Sequence, residues 1–354
     1  MRIYCWLLLV TFSCQNINRQ DESIAIPIEI GVDQTITEQI QYARIGLTKL
    51  SDYGFYVGKL SDLTPSSKVF PYDLNTPLFT DYAEKKRFIF LPEGKKIEYE
   101  EELALKFPVG SILIKNFLYT ADQNQSAEKK ILETRLLIHQ ENGWIALPYI
   151  WNQAQTEAYL EITGGKIPIQ LKNKGRIGYT IPDMNQCKSC HDRAGKMVPI
   201  GPTVRQLNRI ALNGTGNQLE LLEKRGWLDL PGHDLPKLAI WNDERTGTLN
   251  ERARAYLDIN CAHCHNDFGP AKNSGLNLSI FETDDYRLGV NKKPVAAGRG
   301  SANLKYSIVP THPDQSILVH RMQTTEPGTM MPELGRTVPH EEGLALIREW
   351  IKKM

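Results

Sequence analysis

Leu249-Asn250-Glu251-Arg252-Ala253-Arg254-Ala255-Tyr256-Leu257-Asp258-Ile259-Asn260-Cys261-Ala262-His263-Cys264-His265 decides how the second half of this chain is built. Leu249, Ala253, Tyr256 and Leu257 recur at helical spacing, so a helix over Leu249 to Ile259 leads straight into a C-x-x-C-H pentapeptide. A second pentapeptide of the same form, Cys187-Lys188-Ser189-Cys190-His191, stands earlier. Downstream, Pro339, the acidic pair Glu341 and Glu342, and Leu344, Ile347, Trp350 and Ile351 on one face mark a closing amphipathic helix. Upstream, Thr203 to Leu212 is a further candidate helix. Between Leu50 and Tyr179 the pattern changes: Ser111-Ile112-Leu113-Ile114-Lys115-Asn116-Phe117-Leu118-Tyr119 and Thr134-Arg135-Leu136-Leu137-Ile138-His139 are β-favouring runs, set among turn signals such as Pro92-Glu93-Gly94, Asn142-Gly143 and Gly164-Gly165. The expected fold is α+β, with a β-rich segment over residues 46–245 and a mostly helical one over 246–354, divided near Asp243 to Gly247.

The 354 residues carry 42 basic and 41 acidic side chains, a formal +1 that speaks against nucleic acid as a partner. Residues 1–14 have a basic start and an apolar run too short to span a bilayer, the pattern of a signal peptide. Ser13 before Cys14 is similar to a bacterial lipoprotein cleavage site, which implies lipidation at Cys14 and a membrane tether through residues 15–45. No later stretch approaches the roughly 18 apolar residues of a spanning helix. The expected location is the periplasm or the outer membrane.

Six cysteines are present, and four of them form the two pentapeptides. C-x-x-C-H is the attachment pattern of c-type haem: two thiols three positions apart can form thioethers to one porphyrin, and the adjacent histidine can bind its iron. A zinc site built from the four thiolates would leave both histidines unexplained, and a redox disulfide needs only one pair. Two covalently bound haems are therefore expected, attached at Cys187, Cys190, Cys261 and Cys264, with His191 and His265 as iron ligands.

From about Thr248 onward the chain resembles a class I cytochrome c domain, which implies a methionine as sixth ligand. Gly328-Thr329-Met330-Met331-Pro332-Glu333 supplies it, Met331 first and Met330 as the alternative. For the first haem the candidates are His139, His233 and Met197. Across most of its length the chain is also similar to a family of bacterial two-haem c-type cytochromes, often lipoproteins. The shared phrases are Leu50-Ser51-Asp52-Tyr53-Gly54-Phe55, Pro71-Tyr72-Asp73-Leu74-Asn75-Thr76-Pro77-Leu78-Phe79, Phe107-Pro108-Val109-Gly110, Leu147-Pro148-Tyr149-Ile150-Trp151-Asn152 and Asn185-Gln186 before the first motif. Phe107 to Lys115 followed by Gly143-Trp144 also resembles β-sheet haem proteins that oxidise hydroxylamine or bind nitric oxide and keep an open iron. Lys115 itself reads as a solvated edge charge on a strand.

Two functions follow as expectations. The first is electron transfer between extracytoplasmic redox partners, namely a cytochrome, an oxidase or a dehydrogenase. The alternative is an oxidoreductase whose first haem is open to peroxide or a small nitrogen oxide.

Overall fold

The computed structural model describes residues 46–120, 129–171, 174–295 and 297–354. The leader, Cys14 and the tether lie outside them. Six antiparallel strands make a meander in chain order: β1 (Val69–Tyr72), β2 (Glu84–Phe90), β3 (Ile112–Thr120), β4 (Lys129–Gln140), β5 (Gly143–Trp151) and β6 (Ala158–Leu160). Gln140 pairs with Gly143, so Asn142-Gly143 does close a hairpin, with Gly143 at φ +117° where a side chain would be strained. A separate hairpin follows, β7 (Gly165–Leu171) with β8 (Gly175–Ile181).

The central strands are apolar on both faces, so the sheet is covered on both sides. One face buries Phe55, Phe88, Ile114, Leu136, Leu147 and Tyr149. The other buries Phe70, Ile89, Leu113, Leu137 and Ala146 together with Cys187. Cys187 belongs to α1 (Met184–His191), which is followed by a two-residue strand pair, β9 (Asp192–Arg193) and β10 (Lys196–Met197). Short helices α2 (Val204–Leu207) and α3 (Gln218–Lys224) complete this cover, burying Val204, Leu207, Leu219 and Leu222. The helix expected over Thr203 to Leu212 is thus a single turn. Asn208 stops it by donating its side-chain amide to the carbonyls of Leu235 and Pro236, at 3.0 and 3.2 Å.

The remaining helices are α4 (Leu249–Leu257), α5 (Asp285–Leu288), α6 (Ile317–Gln323) and α7 (Glu341–Lys352). Leu344, Ile347, Trp350 and Ile351 of α7 pack with Ala253, Tyr256 and Leu257 of α4 and with Val319 and Met322 of α6. Residues 41–354 form one compact unit. Within it, Asp81 accepts hydrogen bonds from Thr337 N, Thr337 Oγ1 and Val338 N at 2.7, 2.9 and 3.1 Å, and Arg205 pairs with Asp258 at 2.8 Å.

His340, the residue before α7, stacks on Phe79 with ring centroids 4.2 Å apart, and its Nδ1 meets Tyr256 Oη at 3.1 Å. Burial lowers its pKa to about 4. Below pH 6.5 the unfolded chain binds a proton there that the folded chain refuses, so stability falls as pH drops from about 6.5 to 4. The contribution is on the order of 3 kcal/mol at most. Denaturant melts at pH 7 and pH 4.5 should show a smaller acid-induced loss for His340→Gln than for the wild type; equal losses would remove His340 as the source.

Candidate functional site

The first motif is carried by α1, and its start is fixed by a capping box. Asp183 accepts from Gln186 N at 2.8 Å while Gln186 Oε1 accepts from Asp183 N at 3.1 Å. Cys187 and Cys190, three positions apart, therefore share a helix face, with His191 at the last turn. The His191 Nδ1 lies 2.8 Å from the Val198 carbonyl. A carbonyl only accepts, so Nδ1 carries the proton and Nε2 keeps its lone pair. Burial lowers the His191 pKa to about 4, which leaves the ring neutral at pH 7.

The second motif is built the same way. Thr248 and Glu251 form the capping box of α4, and the helix widens into one π turn over Asp258–Ala262 that carries Cys261. Cys264 N and His265 N both donate to the Cys261 carbonyl, at 3.2 and 2.9 Å. The His265 Nδ1 meets Ser274 Oγ at 3.0 Å, and that hydroxyl donates its own hydrogen to the Ala271 carbonyl at 2.7 Å. Ser274 must then accept from His265, so here too Nδ1 is protonated and Nε2 is free. Burial lowers this histidine to about 4 as well.

All four thiols are free. Burial raises Cys187 to about 11 and Cys261 to about 12, so both are neutral thiols at pH 7. Cys264 and His263 lie close enough to the Cys190 thiol to lower its pKa, and the same neighbourhood raises that of Cys264. Motifs separated by some seventy positions in the sequence thus abut. Two further contacts seal the junction: Ala194 N donates to the Phe268 carbonyl at 2.8 Å, and Arg193 donates to Asn266 Oδ1 at 3.3 Å.

A cleft of about 540 Å³ lies along this junction, and its walls include Cys190, His191, His139, Trp144, His263 and Asn266. His139 closes β4 and is held twice. Its Nδ1 is 2.8 Å from the Phe107 carbonyl, and its ring lies flat on Trp144 at 4.5 Å. His139 lines the cleft that His191 also lines. His233 is not brought there: it is exposed and rests edge-on to Tyr99 at 6.3 Å. Met197 lies on β10 and packs into the sheet core rather than lining the cleft.

Met331 is held by two arginines of the second motif's surroundings. Its N–H donates to the Arg321 carbonyl at 2.8 Å, and Arg336 Nε donates to its carbonyl at 3.0 Å. The charge on Arg321 acts on His265 and that on Arg336 on Cys261. Met330 is tied instead to Glu326, its N–H donating at 2.9 Å.

Sequence reasoning missed three parts of the site. His263 reads there as a filler position inside the second motif, yet it reaches the first motif's Cys190, and its buried Nδ1 has no partner among the described residues. Trp144 gives no sign in the sequence that it clamps His139. Lys115 is not a solvated edge charge, because β3 is an interior strand with β2 on one side and β4 on the other. The alternation of Lys85, Arg87, Lys115 and Arg135 on adjoining strands was the available signal. The residues present fit covalent haem: free thiol pairs, neutral imidazoles with Nε2 uncommitted, and, at the first motif, a cleft of ligand size lined by Cys190 and His191. No protein-family model matches this chain, and no curated protein or solved structure matches it either.

Proposed function

We propose that this chain is a two-haem c-type cytochrome that transfers electrons between extracytoplasmic redox proteins such as a cytochrome, an oxidase or a dehydrogenase. The observation that carries the reading is the junction of the two motifs, where Ala194 N donates to the Phe268 carbonyl at 2.8 Å, Arg193 donates to Asn266 at 3.3 Å, and Cys190, His191 and His263 line one cleft. Haem bound at both positions would supply one-electron chemistry at two adjoining centres. The chain's own residues fix the rest. Val198 and Ser274 hold the proximal imidazoles in the tautomer that presents Nε2, and the buried walls of each motif exclude water.

His139 is the proposed sixth ligand of the first haem, since it alone of the three candidates lines the cleft with His191. Met331 is the proposed sixth ligand of the second. Residues 246–354 are proposed as a class I cytochrome c arrangement, supported by α4 entering the motif, the Met331 loop, and α7 packed across α4 and α6. A His/His site has a lower potential than a Met/His site, so electrons would enter at the first and leave from the second. Anchoring at Cys14 in the periplasm or outer membrane completes the proposal. Among the described residues no helix is long and apolar enough to cross a membrane.

Intact-mass measurement and haem staining of denatured protein test the reading. Two haem increments are expected in the wild type, and one in the double variant Cys261→Ala, Cys264→Ala. A wild-type mass with one increment or none defeats the two-haem reading.

A further inference from the structure

The sheet face that carries Cys187 also carries a row of cations. Arg87 on β2 is registered against Lys115 on β3, and Lys115 against Arg135 on β4, with Lys85 one side-chain step away. Like charges directly opposite one another destabilise a sheet, and three in a row away from bulk water demand an anion. The protein's own carboxylates meet that demand only in part. Asp73 bonds Arg87 at 3.1 Å but is shared with Arg209 at 3.3 Å, and Glu133 pairs with Arg135 through Oε1 while its charge also acts on Lys115. Lys85 and Lys115 have no ion pair among the described residues; the Lys115 ammonium lies 4.9 Å from the centre of the Phe117 ring. Arg87, with 4% of its side chain exposed, leaves Nη2 without any partner. Arg135 keeps 24% exposure on an interior strand, with its guanidinium 4.4 Å from the centre of the Phe117 ring.

The position of this row relative to the first motif is fixed by the strand period. Cys187 shares one buried cluster with Leu113 and Leu137. Those residues are two positions from Lys115 and Arg135, one step of about 7 Å on the same face. The charge of Arg135 reaches the Cys187 thiol and that of Lys115 reaches His191.

We infer that the Lys85, Arg87, Lys115 and Arg135 row is a dicarboxylate site, and that it takes the two propionate groups of a porphyrin attached at Cys187 and Cys190. The inference rests on the haem reading above. Two carboxylates on short flexible arms match the two lysines left without ion pairs. These cations then raise the potential of the first haem by favouring its reduced, more negative form.

A redox titration of the haem-loaded protein tests this, read in the wave that Met331→Ala leaves in place. Lys115→Met should lower that midpoint by at least the equivalent of a tenfold change in the reduced-to-oxidised ratio, about 59 mV for one electron. Lys115→Arg should restore it. Where Lys115→Met yields no folded protein, Lys85→Met is expected to lower the same wave. Intact mass is measured on each sample, so the two readings separate. Haem missing at Cys187 and Cys190 in the wild type defeats the haem reading, whereas full haem content with an unmoved midpoint defeats the propionate site alone. Acetate and phosphate are the probes for a free anion. A saturable shift of the wild-type midpoint with either, lost in Lys115→Met, would assign the row to a diffusible anion and overturn the propionate assignment.

Discussion

Replacing His139 with alanine should turn half of the reduced haem from a form inert to carbon monoxide into one that binds it rapidly after mixing. The ring is held on two sides, by the Phe107 carbonyl at 2.8 Å and by Trp144 at 4.5 Å, which leaves Nε2 as its one uncommitted donor atom. Only a ligand removed from iron opens a binding position. Loss of the Phe107 hydrogen bond by itself would cost about 1 kcal/mol of stability and leave carbon monoxide binding unchanged. Added imidazole should close the position again and restore the unreactive spectrum. If the wild type already binds carbon monoxide rapidly at half of its haem, His139 is not a ligand. The alternative function, an open first haem acting on peroxide or a small nitrogen oxide, then takes precedence.

What the sequence made legible divides along the range of the interactions involved. Local pattern sufficed for α7, whose apolar face of Leu344, Ile347, Trp350 and Ile351 is buried as the spacing requires, and for the hairpin at Asn142-Gly143. It also located both pentapeptides and the helix leading into Cys261. The helix expected after Thr203 failed because Asn208 is claimed by carbonyls nearly thirty residues downstream, a long-range competition that helical periodicity does not register. The same limit hid the junction between the motifs. Cys190 and Cys264 are brought together by packing of the whole unit, and no spacing rule connects them. Lys115 was misread for a related reason. Its neighbours in the chain are those of an ordinary strand, and only the pairing of β2, β3 and β4 shows that three cations stand in register. Of the three candidates for the first haem, the sequence favoured His139 or His233 over Met197, which stands only six residues after His191; the cleft separates His139 from both others.

Met331→Ala should abolish the methionine-to-iron absorption signature of the oxidised protein and lower the potential of one haem while leaving the other wave in place. A thioether favours reduced iron over oxidised iron, so its loss shifts the couple downward; axial ligation as a whole moves haem potentials over a range on the order of 0.8 V. A fall of at least two tenfold steps in the reduced-to-oxidised ratio, about 120 mV, is expected. Met331, directly before Pro332, is the proposed ligand ahead of its neighbour. Arg336 clamps the loop by donating to the carbonyls of Met331, Arg321 and Thr324 at 3.0, 3.0 and 2.9 Å, and its charge reaches the Cys261 thiol. On this assignment Met330→Ala should change the spectrum little. If Met330→Ala removes the signature, the ligand is one residue earlier in the same loop. If neither substitution does, the class I arrangement proposed for residues 246–354 falls, while attachment at Cys261 and Cys264, tested separately by mass, stands or fails on its own.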